Sequence, residues 1–249
     1  MRSRITILLI VFLCSCKNKE FVLLKLKYNK GDEHHYVLQQ KTLGASTINM
    51  NTETEVSFTV DSVISNGEAY LFYVDLVSIK TDSNIGGTLE HYDSNTSITD
   101  MTADALEMHN LMKDALKSNY SITISNKGAV VIPFHYLFGG PSDSPVDIGM
   151  IQLPFPDKKV NVGYSWTAKR KNPLLSTTNS YTYTIDDITK DNVIIRVEAI
   201  IQGLKPLTKD TEATGEYIIN RKNGNLISGD LEMKLQQGGR VVYTVNARE

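Results

Sequence analysis

The chain has 249 residues and a mass of 27.8 kDa, enough for one large domain or two small ones with a buried core. Hydrophobic residues make up 41% and charged residues 22%, which excludes intrinsic disorder and coiled coil as the dominant state. The net charge of -2 shows no basic excess, so no nucleic-acid partner is expected. The two cysteines, Cys14 and Cys16, both lie near the N-terminus, which excludes disulfides and cysteine-bound metal from the rest of the chain.

The first sixteen residues have the organisation of an export signal. Arg2 and Arg4 form a cationic start, and the apolar run 5–13 is too short to span a bilayer. The sequence Leu-Cys-Ser-Cys at 13–16 resembles the lipobox of bacterial lipoproteins, in which a small residue precedes the acylated cysteine. We therefore predict a signal peptide at 1–15, lipidation of Cys16 and a tether at 16–20. A plain secretory signal is the alternative.

The residues of the tether bear on the destination of the chain. Lys17 occupies the position where an aspartate would resemble an inner-membrane retention signal, which favours the outer membrane. Some surface-exposed lipoproteins carry an acidic cluster after the cysteine, whereas this tether has only Glu20. We expect a cell-envelope protein held in the outer membrane by its lipid, with the periplasmic face favoured over the cell surface.

Alternating apolar and polar residues predict antiparallel β-strands over most of 21–132. A first strand is predicted at 22–28, and Val56, Phe58 and Val60 mark one face of another. Asn66 and Gly67 supply a hairpin turn, because both central positions of a type I′ turn need positive φ.

The period of the apolar residues changes at about 101–118. Met101, Ala105, Met108, Met112 and Ala115 recur at intervals of three and four, which predicts one amphipathic helix. This helix belongs to the predicted first β half, 21–132.

Residues 133–158 hold five of the seven prolines and predict a turn-rich connection between two halves. A second β half follows at 159–249 and echoes the first. The segment 29–34 aligns with 161–166, and 56–63 aligns with 181–188. We predict a mainly β, antiparallel fold with two similar curved sheets or half-barrels, built by internal duplication. The alternative is that two unrelated β-meanders resemble each other.

The chain carries no recognisable catalytic or metal-binding motif. His34 and His35 are neighbours on a predicted strand and point to opposite faces, so they cannot share a metal. No HExxH, GxSxG or phosphate-binding loop occurs. We therefore expect no enzyme activity, no catalytic residues, no metal and no cofactor. A hydrolase whose site is assembled from distant residues is the less favoured alternative.

Several turns and strand starts form a set of short motifs along the chain. They are Lys30-Gly31-Asp32, Gly87-Thr88, Tyr92-Asp93-Ser94, Leu153-Pro154-Phe155-Pro156, Val162-Gly163-Tyr164-Ser165-Trp166, Thr214-Gly215-Glu216-Tyr217 and Asn223-Gly224. This set resembles an uncharacterised family of bacterial lipoproteins that is known only as a domain of unknown function. The commoner form of the motif at 163–166 reads Gly-Asp-Ser-Trp, and this chain has Tyr164 in place of the aspartate. The resemblance covers about residues 20–249 and implies no activity and no catalytic residues.

The leading hypothesis is a non-enzymatic binding or envelope-assembly module, with an unknown protein or a small apolar or sugar ligand as its partner. In its concrete form, a curved sheet and the helix enclose an apolar groove, as in lipoprotein carriers. The residues expected to line that groove are Phe58, Phe72, Met108, Met112 and Leu231.

The alternative hypothesis is a surface lipoprotein that binds polysaccharide or protein. It requires exposed, coplanar aromatic rings, with Trp166, Tyr181 and Tyr183 as the candidates. Burial of Trp166 would count against it.

Overall fold

The structure is a computed structural model. Strands account for 61% of the residues that it describes. The signal peptide, Cys16 and most of the tether lie outside those residues, and so does much of the Pro/Gly-rich connection. The described ranges are 20–44, 48–85, 87–117, 120–136, 150–172, 177–202, 209–235 and 238–248.

All strands belong to one antiparallel sheet of twelve strands, which confirms the predicted fold class. The order across the sheet is β6-β5-β3-β2-β1-β12-β11-β10-β9-β8-β7, and β4 pairs with β3. The strands are β1 Glu33–Leu43, β2 Ile48–Ile64, β3 Ala69–Ile85, β4 Thr88–Asp93, β5 Tyr120–Ser125, β6 Val130–Tyr136, β7 Ser165–Asn172, β8 Thr177–Ile188, β9 Asn192–Ile201, β10 Thr211–Asn220, β11 Leu226–Lys234 and β12 Arg240–Arg248.

The two predicted β halves form the two arms of this sheet. They join where β1 pairs with β12, from His35 opposite Arg248 to Leu43 opposite Arg240. The sheet is curved and open, with β6 at one end and β7 at the other. The halves are therefore continuous with each other, and one hydrophobic core includes residues of both.

The predicted echo between the halves appears as a repeated set of hydrogen bonds. The amide of Gly31 donates to the carbonyl of Val60 over 2.8 Å, and the amide of Gly163 donates to that of Ile185 over 2.8 Å. Both glycines have positive φ, +87° and +83°. A β-bulge follows Val60 in β2, and another follows Ile185 in β8. The aligned segments thus have the same local structure.

The core lies on one face of the sheet, here called the inner face. Side chains of β9 show the alternation that produces it, since Val193, Ile195 and Val197 are fully buried there. No second sheet covers this face in the described part of the chain. Two extended segments cover it instead, and they supply many of its apolar contacts.

The first covering segment, residues 20–28, precedes β1. Val22, Leu24 and Leu26 are buried on the inner face. The sequence predicted a strand at 22–28, which is wrong in one respect: outside a single bridge between Val22 and Val160, the segment does not pair within the sheet. Its alternating apolar residues pack onto the sheet and leave its backbone to bond with turns.

The second covering segment, residues 150–156, precedes β7 and is here called the strap. Met150, Ile151, Leu153 and Phe155 are all buried on the inner face. The sequence predicted a connection at 133–158, yet its last residues form part of the core. The first residues of that predicted connection belong to β6, which extends to Tyr136 and includes Pro133, a residue tolerated in an edge strand.

Each covering segment bonds to a hairpin turn of the opposite half. The Lys27 amide donates to the carbonyl of Asn223 over 2.9 Å. The Phe155 amide donates to the carbonyl of Lys127 over 2.7 Å. Asn223 lies between β10 and β11, and Lys127 lies between β5 and β6. The two halves are therefore held together reciprocally.

The predicted helix is confirmed as α1, Ala103–Lys117. The Thr102 hydroxyl caps its start by accepting a bond from the Ala105 amide over 3.2 Å. The helix packs through Ala105 on a small cluster formed by Leu76, Ile79 and Tyr92 of β3 and β4. Among the helix residues only Ala105 is fully buried, so α1 packs loosely on β3 and β4.

The contact between each covering segment and its turn leaves no room for a side chain. Gly128 and Gly224 have φ of +73° and +75°. A Cβ at Gly224 would lie 2.7 Å from the carbonyl oxygen of Lys25. A Cβ at Gly128 would overlap the carbonyl oxygen of Leu153. Both glycines are required by close backbone approach as well as by φ.

We predict that Gly128→Ala and Gly224→Ala each lower the free energy of unfolding by about 1–3 kcal/mol more than Gly163→Ala does. Gly163 is a matched control, because its φ is +83° and a Cβ there meets nothing within 4 Å. Urea denaturation of the three variants measures the difference. Equal losses would show that φ alone, and not the crossing, requires the glycines.

Candidate functional site

A small cavity of about 30 Å³ lies between the strap, the segment 20–28 and the inner face. Its size suits about two water-sized groups. Most of its wall is apolar, and among the described residues no carboxylate, lysine or arginine lines it. The lining residues are Leu26, Tyr28, His34, Tyr36, Phe58, Phe72, Ile124, Ile151, Gln152, Leu153, Phe155, Gly224 and Leu226.

Two side-chain nitrogens of this wall are buried without a hydrogen-bond partner among the residues that the structure describes. They are Nε2 of His34 and Nε2 of Gln152. Gln152 is only 8% exposed although it is the one polar residue of the strap. A third such atom, Oδ1 of Asn225, lies next in sequence to the lining residue Gly224. Buried polar groups without partners are uncommon and call for a physical explanation.

The repeat within the fold explains why the cavity exists. His34 pairs with Phe58 between β1 and β2, just as Trp166 pairs with Tyr183 between β7 and β8. In the second half the Trp166 indole donates from Nε1 to the carbonyl of Pro154 over 2.7 Å. A histidine is smaller than a tryptophan, so the corresponding position of the first half has free space and an unpaired ring nitrogen.

Aromatic rings hold the His34 side chain in place. The Tyr28 ring lies 4.9 Å from the His34 ring, measured between centroids. Tyr28 in turn makes edge contacts with Tyr70 at 5.1 Å and Phe72 at 5.2 Å. Burial lowers the pKa of His34, a nearby Asp32 partly opposes this, and His35 adds to it. The imidazole is therefore neutral at pH 7.

The two tyrosines of the wall stay protonated. Burial raises the pKa of Tyr28 well above its ordinary value, with smaller contributions from Tyr36, Tyr70 and Asp32. Burial likewise raises the pKa of Tyr36. The cavity thus has neutral polar groups only.

The strap that closes the cavity is fastened along its length. The Trp166 indole and the Lys127 carbonyl hold its C-terminal part, as described above. The Arg170 guanidinium donates to the carbonyl of Gln152, and the Tyr217 hydroxyl contacts the sulfur of Met150 at 3.5 Å. These contacts fix the backbone of Gln152 beside the cavity.

Trp166 belongs to a row of aromatic rings on β7 and β8. Trp166 stacks on Tyr183 at 5.3 Å between centroids and on Tyr164 at 6.3 Å, and Tyr181 stacks on Tyr183 at 6.2 Å. The interplanar angles of these three pairs are 23°, 20° and 14°, in the same order. Because the ring faces cover one another and Trp166 is half-buried, the row lacks the flat exposed platform that a sugar-binding surface requires.

The structure brings only some of the predicted groove residues together. Phe58, Phe72 and Leu231 are buried in the main core, and the first two are in contact and line the cavity. Met112 is half-buried in the separate cluster under α1, and Met108 is 37% exposed on the helix. The core is filled by the two covering segments at the place where the groove was expected.

Histidines and carboxylates meet only in pairs. His91 Nδ1 lies 2.6 Å from Asp82 on the exposed surface of β3 and β4, and His35 lies 3.9 Å from Glu33. In the described part of the chain no three His, Cys, Asp or Glu residues could hold a metal ion together. No helix within the described ranges is long and apolar enough to cross a membrane.

From the sequence, His34 was considered only as a candidate metal ligand and rejected, and Gln152 was not considered. The one available signal was the alignment of His34 with Trp166, a polar residue against an aromatic one at equivalent positions. Gln152 stands alone between Ile151 and Leu153, which is a weaker indication of a buried polar group.

Comparison with known proteins gives a similarity of fold and none of sequence. No protein-family model matches the chain, and no characterised protein matches it in sequence. The resemblance to the lipoprotein family therefore stays a prediction. Among solved structures, a lipovitellin structure concerned with lipid–protein interactions matches with a TM-score of 0.55 and 10% sequence identity. The match covers 90% of this chain and 26% of lipovitellin, so it shows a shared sheet architecture.

We predict that stability falls with acidification because of His34. The pKa of His34 in the folded protein is lower than the 6.5 of the unfolded chain, so the unfolded state binds its proton first. The contribution of neutral His34 to the free energy of unfolding is complete above pH 6.5. It is lost as the pH falls below that value.

The measurement is urea denaturation between pH 7.5 and pH 5 for His34→Gln, with His35→Gln as the control. The two residues are neighbours, and the His35 side chain is 44% exposed. The pH dependence should become clearly shallower in His34→Gln and change much less in His35→Gln, because His35 is the smallest of the three contributions to the pKa of His34. Parallel curves for all three proteins would contradict this origin.

Proposed function

We propose that the chain is a lipid-anchored, non-enzymatic protein of the bacterial cell envelope that binds an apolar ligand on the inner face of its sheet. The observation that carries the proposal is the strap. Ile151, Leu153 and Phe155 occupy an apolar sheet face as an extended apolar ligand would, next to a cavity that their removal would enlarge.

The energetics of the strap support exchange with a ligand. Its buried side chains contribute apolar contact area that an alkyl chain of similar length replaces at comparable free energy. Its polar fastenings are discrete: Trp166 bonds to Pro154, Lys127 bonds to Phe155 and Pro156, and Arg170 bonds to Gln152. Lifting residues 153–156 breaks the bonds of Trp166 and Lys127, leaves Gln152 held by Arg170, and exposes the apolar surface beneath Leu153 and Phe155.

The fold similarity to lipovitellin supports the same proposal at the level of architecture. A curved sheet that is apolar on one face and lacks a second covering sheet suits an apolar ligand. The absence of sequence identity beyond 10% means that any ligand contacts are those of this chain alone.

The proposed location rests on the N-terminal sequence. The apolar run 5–13 followed by Ser15 and Cys16 supports lipidation, and Lys17 supports the outer membrane with the body of the protein in the periplasm. Two acyl chains on Cys16 suffice for stable anchoring, since each buried CH₂ contributes about 0.8 kcal/mol.

We predict that a loosened strap admits an apolar probe faster. Trp166→Phe keeps an aromatic ring in the row but loses the bond to Pro154. Because one hydrogen bond contributes about 0.5–1.5 kcal/mol, the open population should rise about two- to tenfold. Stopped-flow uptake of N-phenyl-1-naphthylamine measures the rate.

Tyr164→Phe is the control for this experiment, because it alters the neighbouring ring of the row and leaves the Pro154 bond intact. Native mass spectrometry with organic extraction of the protein from its own host's envelope identifies the natural ligand. No probe uptake by any variant, together with no extracted ligand, would refute ligand binding on the inner face.

We predict that Cys16→Ser abolishes membrane attachment. Serine at this position removes the thiol that accepts the lipid, so metabolic labelling with radioactive palmitate should fail and the protein should leave the membrane fraction. Cys14→Ser is the control and should remain labelled. Labelling that persists in Cys16→Ser would overturn the lipidation prediction.

A further inference from the structure

We infer that His34 and Gln152 form a binding site for the carboxyl group of a fatty acid. These two residues and the cavity between them are here called the polar corner. The inference deepens the proposed function and depends on it, because it names the chemical class of the apolar ligand.

The polar corner has two nitrogens that can both form hydrogen bonds with one carboxyl group. Gln152 Nε2 is a donor without an acceptor, and His34 Nε2 is a ring nitrogen without a partner. One carboxyl oxygen accepts a bond from Gln152, and the other shares a proton with His34. A single carboxyl group thereby pairs both orphaned nitrogens.

The charge of the cavity also favours a fatty acid. No lysine, arginine or carboxylate in the described part of the chain lines the cavity, so a buried ion would lack compensation there. A fatty acid and a neutral imidazole together carry one exchangeable proton. With that proton on the carboxyl oxygen both groups are neutral, and with it on Nε2 they form an ion pair, so the net charge is zero in either form.

The volume of the cavity and the apolar surface around it also fit a fatty acid. The cavity of about 30 Å³ has room for two water-sized groups, which matches the two oxygens of a carboxyl group. Around it the wall is apolar, with Leu26, Leu153 and Leu226 among its members. The Arg170 bond to Gln152 and the Tyr217 contact with Met150 hold residues 150–152 in place. An alkyl chain that leaves the polar corner therefore takes the surface that Leu153 and Phe155 now occupy, while Gln152 stays beside the cavity.

The repeat within the fold supports a specific role for this corner. The equivalent position in the second half is filled by Trp166, which closes the space and bonds to the strap. The two halves share their turns, bulges and crossings, yet they differ here. The first half therefore has a polar cavity beside His34, whereas Trp166 fills the equivalent position of the second half.

The experiment is isothermal titration calorimetry of the full-length protein, purified after delipidation, with palmitic acid and hexadecanol. The alcohol has the same chain but only one oxygen, so it leaves one nitrogen of the polar corner unpaired. We expect palmitic acid to bind at least about tenfold more tightly than hexadecanol.

Gln152→Met keeps the volume of the side chain and removes its donor. In this variant we expect the preference for palmitic acid to fall to about threefold or less, with hexadecanol binding unchanged. Gln40→Met, on β1 and outside the cavity wall, is the matched control and should retain the full preference. Thermal unfolding checks that each variant is folded, and Gln152→Met should melt no lower than the wild type because an unpaired buried group is removed.

The outcomes separate the two proposals. If both ligands bind equally well to the wild type, or if Gln152→Met keeps the preference, the polar corner does not recognise a carboxyl group while the proposed function stands. If neither ligand binds to any variant, the proposed function fails and the inference fails with it.

Discussion

The reciprocal crossing of the two covering segments is the interaction on which the rest of the structure depends. A single curved sheet has an apolar face that must be covered, and this chain has no second sheet to do so in its described part. Each half instead sends the segment before its first strand across to the hairpin turn of the other half. The bonds of Lys27 to Asn223 and of Phe155 to Lys127 mark the two crossings.

Much of the fold follows from the sequence pattern, and the parts that do not follow have a common cause. Side chains repeat on one face every two residues in a strand and about every 3.6 residues in a helix. The spacing of the apolar residues therefore predicted both β2 and α1 correctly. The hairpin turn forms where it was predicted, with φ of +54° at Asn66 and +89° at Gly67, but Ser65 also has positive φ, so the loop spans four residues, 65–68, instead of two. The repeat was also visible, because equivalent turns need equivalent residues such as Gly31 and Gly163.

The covering segments escaped prediction because local periodicity carries no information about pairing partners. Residues 22–28 alternate like a strand but bond to turns, and residues 150–156 are rich in proline yet lie in the core. The polar corner escaped for the same reason. Its two members come from β1 and from the strap, which are far apart in the sequence.

The polar corner also illustrates how a site can be held at a cost in stability. The unpaired nitrogens of His34 and Gln152 are buried in a wall that is otherwise apolar, and their desolvation is uncompensated by protein groups. The surrounding rings and the fastened strap hold them there. Local departures from good packing of this kind are concentrated at functional sites.

The pairing of β1 with β12 has a consequence for the order of folding. His35 lies opposite Arg248, and Arg248 also forms an ion pair with Glu55 at 2.7 Å, so the centre of the sheet is closed by contacts between opposite ends of the chain. Such contacts give a high contact order, which slows folding. Until β12 arrives, both β1 and β11 present open strand edges. A chain that folds in this order needs protection from aggregation until its last strand is in place.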